Sequence, residues 1–173
     1  MEQIVVITAV GRDQPGIIAA LAKAVFEMGG NLDDSSMTRL HGAFAAMVAA
    51  RLPEGRSENE VREALKPLAQ EMGLTVTVQS VPDAHSQAAP DTLLTVYGAD
   101  RPGIVYRVAA ALAGRGVNIT DMDTRLTGTE DAPVYVMLLE AVAGGLDLAA
   151  EMDALKAPLG VDITVQTLES EAL

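Results

Sequence analysis

Apolar and polar positions along this chain fall into two rhythms, one of a strand and one of a helix, and their order occurs twice. Gln3–Val10 is a β-branched run, apolar at every position from Ile4 to Ile7, which predicts a short strand buried on both faces. Ile17, Ile18, Leu21, Ala22, Val25 and Phe26 recur at helical spacing and form one stripe. Asp13 is placed to cap that helix, Pro15 suits its first turn, and Gly29-Gly30 ends it. Leu32–Leu40 and Ala43–Leu52 predict two strands around a turn at His41-Gly42. The second is a strand by context, because Ala43-Phe44-Ala45-Ala46-Met47 suits a helix equally well. Ser57-Glu58-Asn59-Glu60 has the form of a capping box. Val61, Leu65, Leu68 and Met72 carry a second helix to Gly73, with Pro67 expected to kink it or end its regular part. Leu74, Val76 and Val78 then alternate with Thr75, Thr77 and Gln79, a strand with one wet face.

Val81–Asp91 has two prolines, small and polar residues and no periodicity, which marks a short linker. The expected division is a first domain over 1–81, a linker over 82–91 and a second domain over 92–173. The second half repeats the order of the first. Thr92–Gly98 is a strand, and Pro102–Arg115 a helix with Ile104, Val105, Val108, Ala109 and Leu112 inward. Ile119–Leu126 and Val134–Val142 form a pair joined by a longer polar turn, Thr127–Pro133. Gly145–Leu159 contains another helix, and Val161, Ile163 and Val165 alternate with polar neighbours.

Each half therefore reads βαββαβ, an α+β ferredoxin-like unit whose antiparallel sheet carries helices on one face. That topology puts the first and third strands in the centre, and those are the continuously apolar ones. Apolar residues on the bare face of the sheet need a second cover, so the pattern predicts association.

Composition narrows the function more than the fold. Of 173 residues 49% are hydrophobic but 3% are aromatic, so the core is aliphatic. There is no cysteine, which removes disulfides, thiol catalysis and cysteine metal sites and fits a reducing cytoplasm. The formal net charge is −12, from 24 acidic and 12 basic residues. Such a surface repels phosphate backbones, so direct contact with nucleic acid is not expected. No apolar segment approaches the roughly 20 residues of a membrane span, and the first residues enter a strand at once. The expected protein is soluble and cytoplasmic.

The repeat is sharpest around the first helix of each half. Gly11, Asp13, Pro15, Gly16 and Asn31 recur 87 positions later as Gly98, Asp100, Pro102, Gly103 and Asn118. A ferredoxin-like unit with Asp-x-Pro-Gly-Ile after its first strand and an asparagine before its second resembles the ACT domain, a small regulatory module of amino-acid metabolism. The resemblance covers both halves. Two such units with no enzyme or DNA-binding domain attached are similar to the glycine cleavage system transcriptional repressor family. It implies a small amino acid, glycine or similar, held by Asp13, Gln14, Pro15, Gly16 and Ile17 with Asn31 and Leu32, or by Asp100, Arg101, Pro102, Gly103 and Ile104 with Asn118 and Ile119. It also implies a homodimer and a protein partner, a transcriptional activator, contacted in place of DNA.

The physics of such a loop agrees. A helix N-terminus offers unpaired amides and partial positive charge to a carboxylate, and glycine lets a ligand approach the backbone. The same residues are also simply good turn and cap formers. The alternative is thus an interaction or dimerisation module without a ligand. The copies differ: Ser35-Ser36 stand against Met122-Asp123, and Gly30 against Val117. One site, two unequal sites and two equal ones all fit.

Nothing points to catalysis or to a cofactor. His41 lies in a turn and His85 in the linker, far from any nucleophile in the sequence. Gly11-x-x-x-x-Gly16 has phosphate-loop spacing but lacks the lysine and hydroxyl that follow it in such loops. Asp33-Asp34 and the Asp121, Asp123 pair read as surface charge rather than as a cation site.

Overall fold

The computed structural model describes residues 3–81, 88–129 and 132–168. The chain divides into two compact units, Met1–Ser86 and Gln87–Leu173. His85 and most of the linker lie outside the described residues. The first unit runs β1 (Gln3–Arg12), α1 (Ile17–Glu27), β2 (Asn31–Leu40), β3 (Ala43–Leu52), α2 (Glu58–Met72) and β4 (Thr75–Val81). The second runs β5 (Thr92–Gly98), α3 (Ile104–Gly114), β6 (Asn118–Thr129), β7 (Ala132–Val142), α4 (Ala149–Leu159) and β8 (Val161–Thr167). Their four-stranded antiparallel sheets have the orders β2-β3-β1-β4 and β6-β7-β5-β8. The strands that are apolar throughout are the central ones, as the pattern predicts.

Each core lies between the sheet and its two helices. In the first unit Val5, Ile7 and Ala9 of β1 meet Ile17, Leu21 and Val25 of α1 and Val61 and Leu65 of α2. In the second, Leu94 and Val96 of β5 meet Ile104, Val108 and Leu112 of α3 with Met152 and Leu159 of α4. The predicted helix stripes are too wide. Phe26 is 77% exposed, and Ile18 and Val105 also face outward. A four-stranded sheet covered by two helices gives each of them a contact of one residue per turn, so the flanks of the stripe are left over.

Several local expectations change. Asp13 does not cap α1. Gly16 does so, in a left-handed conformation at φ 96° with no side-chain bond, and Gly103 does the same for α3 at φ 94°. Pro15 and Pro102 therefore stand before the helices, not within their first turns. Helix α2 continues through Pro67 to Met72, because packing on the sheet holds it past the one amide that proline removes. The polar turn expected at Thr127–Pro133 is largely strand, since β6 runs to Thr129 and β7 starts at Ala132. The His41-Gly42 turn is as expected, with both residues at positive φ, 49° and 82°, the conformation of a two-residue hairpin.

Three carboxylates lock elements together. At the start of α2, Ser57 and Glu60 form the capping box, and Glu58 accepts from the backbone N–H and the hydroxyl of Ser80 in β4, both at 2.9 Å. In the second unit Asp91 accepts from the amides of Ala143 and Gly144, both at 2.7 Å, and from the Thr92 hydroxyl at 2.8 Å. The Ala143 amide and Thr92 hydroxyl hold the Asp91 carboxyl below its ordinary range. The Ser80 amide does the same for Glu58, and Arg56 with the Ser57 amide for Glu60.

These depressed values set the sign of the acid limb. In the unfolded chain the groups return toward 4.5 for glutamate and 3.8 for aspartate. Above those values the stabilisation is complete, and it is lost as pH falls through the lower folded values. Urea midpoints are expected to stay level near neutrality and decline below about pH 5. Asp91→Asn is expected to make that decline shallower. An equally steep limb in the variant would remove Asp91 from the explanation.

Candidate ligand-binding loops

The repeated loop sits where β1 passes into α1 and where β5 passes into α3. Part of the repetition has a packing cause. A Cβ on Gly98 would lie 2.9 Å from both the Gly160 carbonyl oxygen and Val161 Cα, and one on Gly11 would lie 2.6 Å from Leu74 Cδ2. These glycines let the central strand pass close to the start of the edge strand. Gly16 and Gly103 are set by backbone conformation, since left-handed φ costs any other residue energy. Gly30, the counterpart of Val117, also has a packing cause. A Cβ there would meet the Arg51 carbonyl oxygen at 2.9 Å and Val25 Cγ1 at 3.0 Å.

The expected site residues separate into three groups. Ile17 and Ile104 are buried core residues, so only their backbone amides remain available to a ligand. Leu32 and Ile119 also pack against the cores. The loop residues proper differ between the units. In the first, Arg39 Nη1 donates to Asp13 Oδ2 at 3.2 Å, and the Asp13 amide donates to the Gly42 carbonyl at 3.0 Å. Gln14 Nε2 donates to the Met72 carbonyl at 2.7 Å, tying the loop to the C-terminus of α2. In the second, the Arg101 guanidinium lies over Gly160, the left-handed cap of α4, where it complements the negative end of the helix.

Asn31 and Asn118 form the third group, and neither is near its own loop. The register pairs Asn31 with Arg51 and Arg51 with Ile4, whereas Asp13 follows Arg12 at the far end of β1. Eight residues of strand separate these rows, about 26 Å. In the second unit Asn118 pairs with Val142, beyond the Thr92 end of β5, while the loop follows Gly98. No single amino acid touches both the loop and the asparagine of one unit.

A cleft of about 340 Å³ opens at the second loop, between Asp100, Arg101, Val105, Tyr106 and Tyr135. Tyr106 is 76% exposed on the first turn of α3. Tyr135 is half-buried, and its hydroxyl reaches Met137 Sδ at 3.8 Å. Burial, and after it the negative charge of Asp100, push the Tyr135 phenol up, so it stays protonated. The sequence reading missed both tyrosines. Tyr106 had a signal, an aromatic three residues past the motif in a chain with few aromatics. Tyr135 had none, because strand register alone brings β7 to the loop. One member of each carboxylate pair lies in an ion pair, Asp33 with Arg51 at 2.7 Å and Asp123 with Arg125 at 2.9 Å. Among the described residues, no helix is long and apolar enough to cross a membrane.

The fold is shared with known structures. A protein from Galdieria sulphuraria aligns over 97% of this chain and 99% of its own, with a TM-score of 0.83 and 24% identity. A candidate glycine cleavage system transcriptional repressor aligns over 97% and 98%, with a TM-score of 0.74 and 23% identity. At these identities the likeness is one of fold. In sequence, a UPF0237 protein of Methanopyrus kandleri is 36% identical over 75 residues, 43% of this chain and 83% of the relative. One from Methanosarcina mazei is 39% identical over 77 residues, 43% of this chain and 82% of the relative. Models described as the ACT domain match residues 3–79 and 92–157. The chain belongs to the ACT-domain family and carries two ACT domains in tandem.

Proposed function

We propose that this protein is a regulator that binds a small amino acid and acts through contact with another protein. The observation that supports it most directly is the Asp-x-Pro-Gly loop at the start of α1 and again of α3, in a chain made of ACT domains. The first-turn amides of such a helix suit a ligand's carboxylate, and the loop aspartate suits its ammonium group. Because each asparagine lies far from its own loop, the asparagine that completes a site comes from a second copy, in a homodimer. Glycine is the first effector to test and an activator of glycine cleavage genes the first partner, on the likeness to the repressor fold. An acidic chain of net charge −12 favours protein contact over DNA contact. A regulatory role of this kind needs no catalytic residue and no cofactor.

A thermal-shift panel of the twenty amino acids tests the reading. An effector at about 100 times its Kd adds about 2.7 kcal/mol, a clear rise in midpoint for units of this size. Asn118→Ala is expected to reduce that rise while leaving the ligand-free midpoint in place, because Asn118 is exposed. Silence across the panel would favour the ligand-independent interaction module. The structural roles of Gly11, Gly16 and Gln14 already account for much of the loop on that view.

A further inference from the structure

We propose that the second unit's loop is the one built to receive an effector, and that the effector has an aromatic or large apolar side chain. This rests on the amino-acid reading above and adds which loop and which side chain.

The two loops are alike in sequence and differ in the partners of their aspartates. In the first unit the Asp13 carboxylate already has a partner in Arg39 at 3.2 Å, and Gln14 is spent on the Met72 carbonyl. The strand registers identify the counterparts in the second unit. Arg39 pairs with Phe44 and Phe44 with Gly11, while Leu126 pairs with Tyr135 and Tyr135 with Gly98. Leu126 thus stands where Arg39 does, and Tyr135 where the buried Phe44 does. Among the described residues, the Asp100 carboxylate has no ion pair and no hydrogen bond. It lines the open cleft together with Tyr135.

An unpaired carboxylate beside a cleft favours a cationic group, here the ligand's ammonium. The ligand's carboxylate then meets the first amides of α3, whose capping residue supplies no side chain to compete. Val105, Tyr106 and Tyr135 remain for the side chain. Tyr106 takes the place of Ala19 in the first unit, so this wall exists in one unit alone. Glycine would leave most of a space of about 340 Å³ unfilled, whereas two phenol rings suit an aromatic or branched apolar group.

Titration calorimetry on the full chain with glycine, L-leucine and L-phenylalanine tests the assignment. Phenylalanine is expected to bind about tenfold or more tighter than glycine, the scale of one good aromatic contact. Tyr106→Ala should cost phenylalanine about tenfold and glycine little. Asp100→Asn should weaken all three, and Asp13→Asn none of them. Glycine binding as tightly as phenylalanine, or loss of binding in Asp13→Asn but not Asp100→Asn, would overturn the assignment and leave the amino-acid reading in place. No heat from any of the three in the wild-type protein would overturn the assignment, and silence across the twenty-member thermal-shift panel as well would overturn the amino-acid reading with it.

Discussion

Leu112→Ala is expected to destabilise the second unit by about 2–5 kcal/mol, the range for a leucine cut back in a closed core. Leu112 is fully buried on α3 within a cluster that includes Val108, Leu139 and Met152. Two terms add. The lost methyl groups forfeit their transfer out of water, and the cavity persists because β7 and α4 cannot close over it. Urea denaturation of the full chain gives the value from the transition that reports the second unit. Tyr106→Ala in the same helix is the control. Its side chain is 76% exposed, so its expected change is within about 0.5 kcal/mol. Equal losses from the two variants would mean that α3 does not present Leu112 to the core.

Gly98→Ala is the second large effect, at about 1–3 kcal/mol, and here the cause is excess volume. The added methyl would sit 2.9 Å from the Gly160 carbonyl oxygen and from Val161 Cα. Both are backbone atoms, so no side-chain rotation relieves the clash, and β5 must move away from β8. The same substitution at Gly114 is expected to have the opposite sign. Nothing lies within 4 Å of a Cβ there, and its backbone is helical. Alanine should therefore add up to about 1 kcal/mol of helix preference. Circular dichroism melts of the two variants measure the contrast. A neutral Gly98→Ala would show that the glycine repeated with Gly11 is not a packing requirement.

Much of the architecture was legible in the order of residues, because burial imposes a period on each element. Ile4–Ile7 announced a central strand, the alternation from Leu74 to Val78 an edge strand, and Ser57-Glu58-Asn59-Glu60 the start of a helix. Local chemistry was less reliable where two residues compete for one role. Aspartate is a common cap, but the chain places Gly16 and Gly103 at the cap position in left-handed geometry, leaving Asp13 and Asp100 free for other partners. Pro67 marked a break by its chemistry, yet the sheet beneath α2 supplies more stabilisation than one missing amide removes.

What the chain determined alone, then, is a tandem of ferredoxin-like units with the same glycines, aspartate and proline recurring in one loop of each. Those follow from periodicity, glycine and proline stereochemistry and repetition, all properties of neighbours along the backbone. Only the tertiary structure decided that the loops are unequal. Arg39, Leu126, Phe44 and Tyr135 reach them from strands 26 to 35 residues beyond Asp13 or Asp100. Pairing register sets which of these residues faces Asp13 and which faces Asp100, and a sum of contacts across the whole sheet fixes that register.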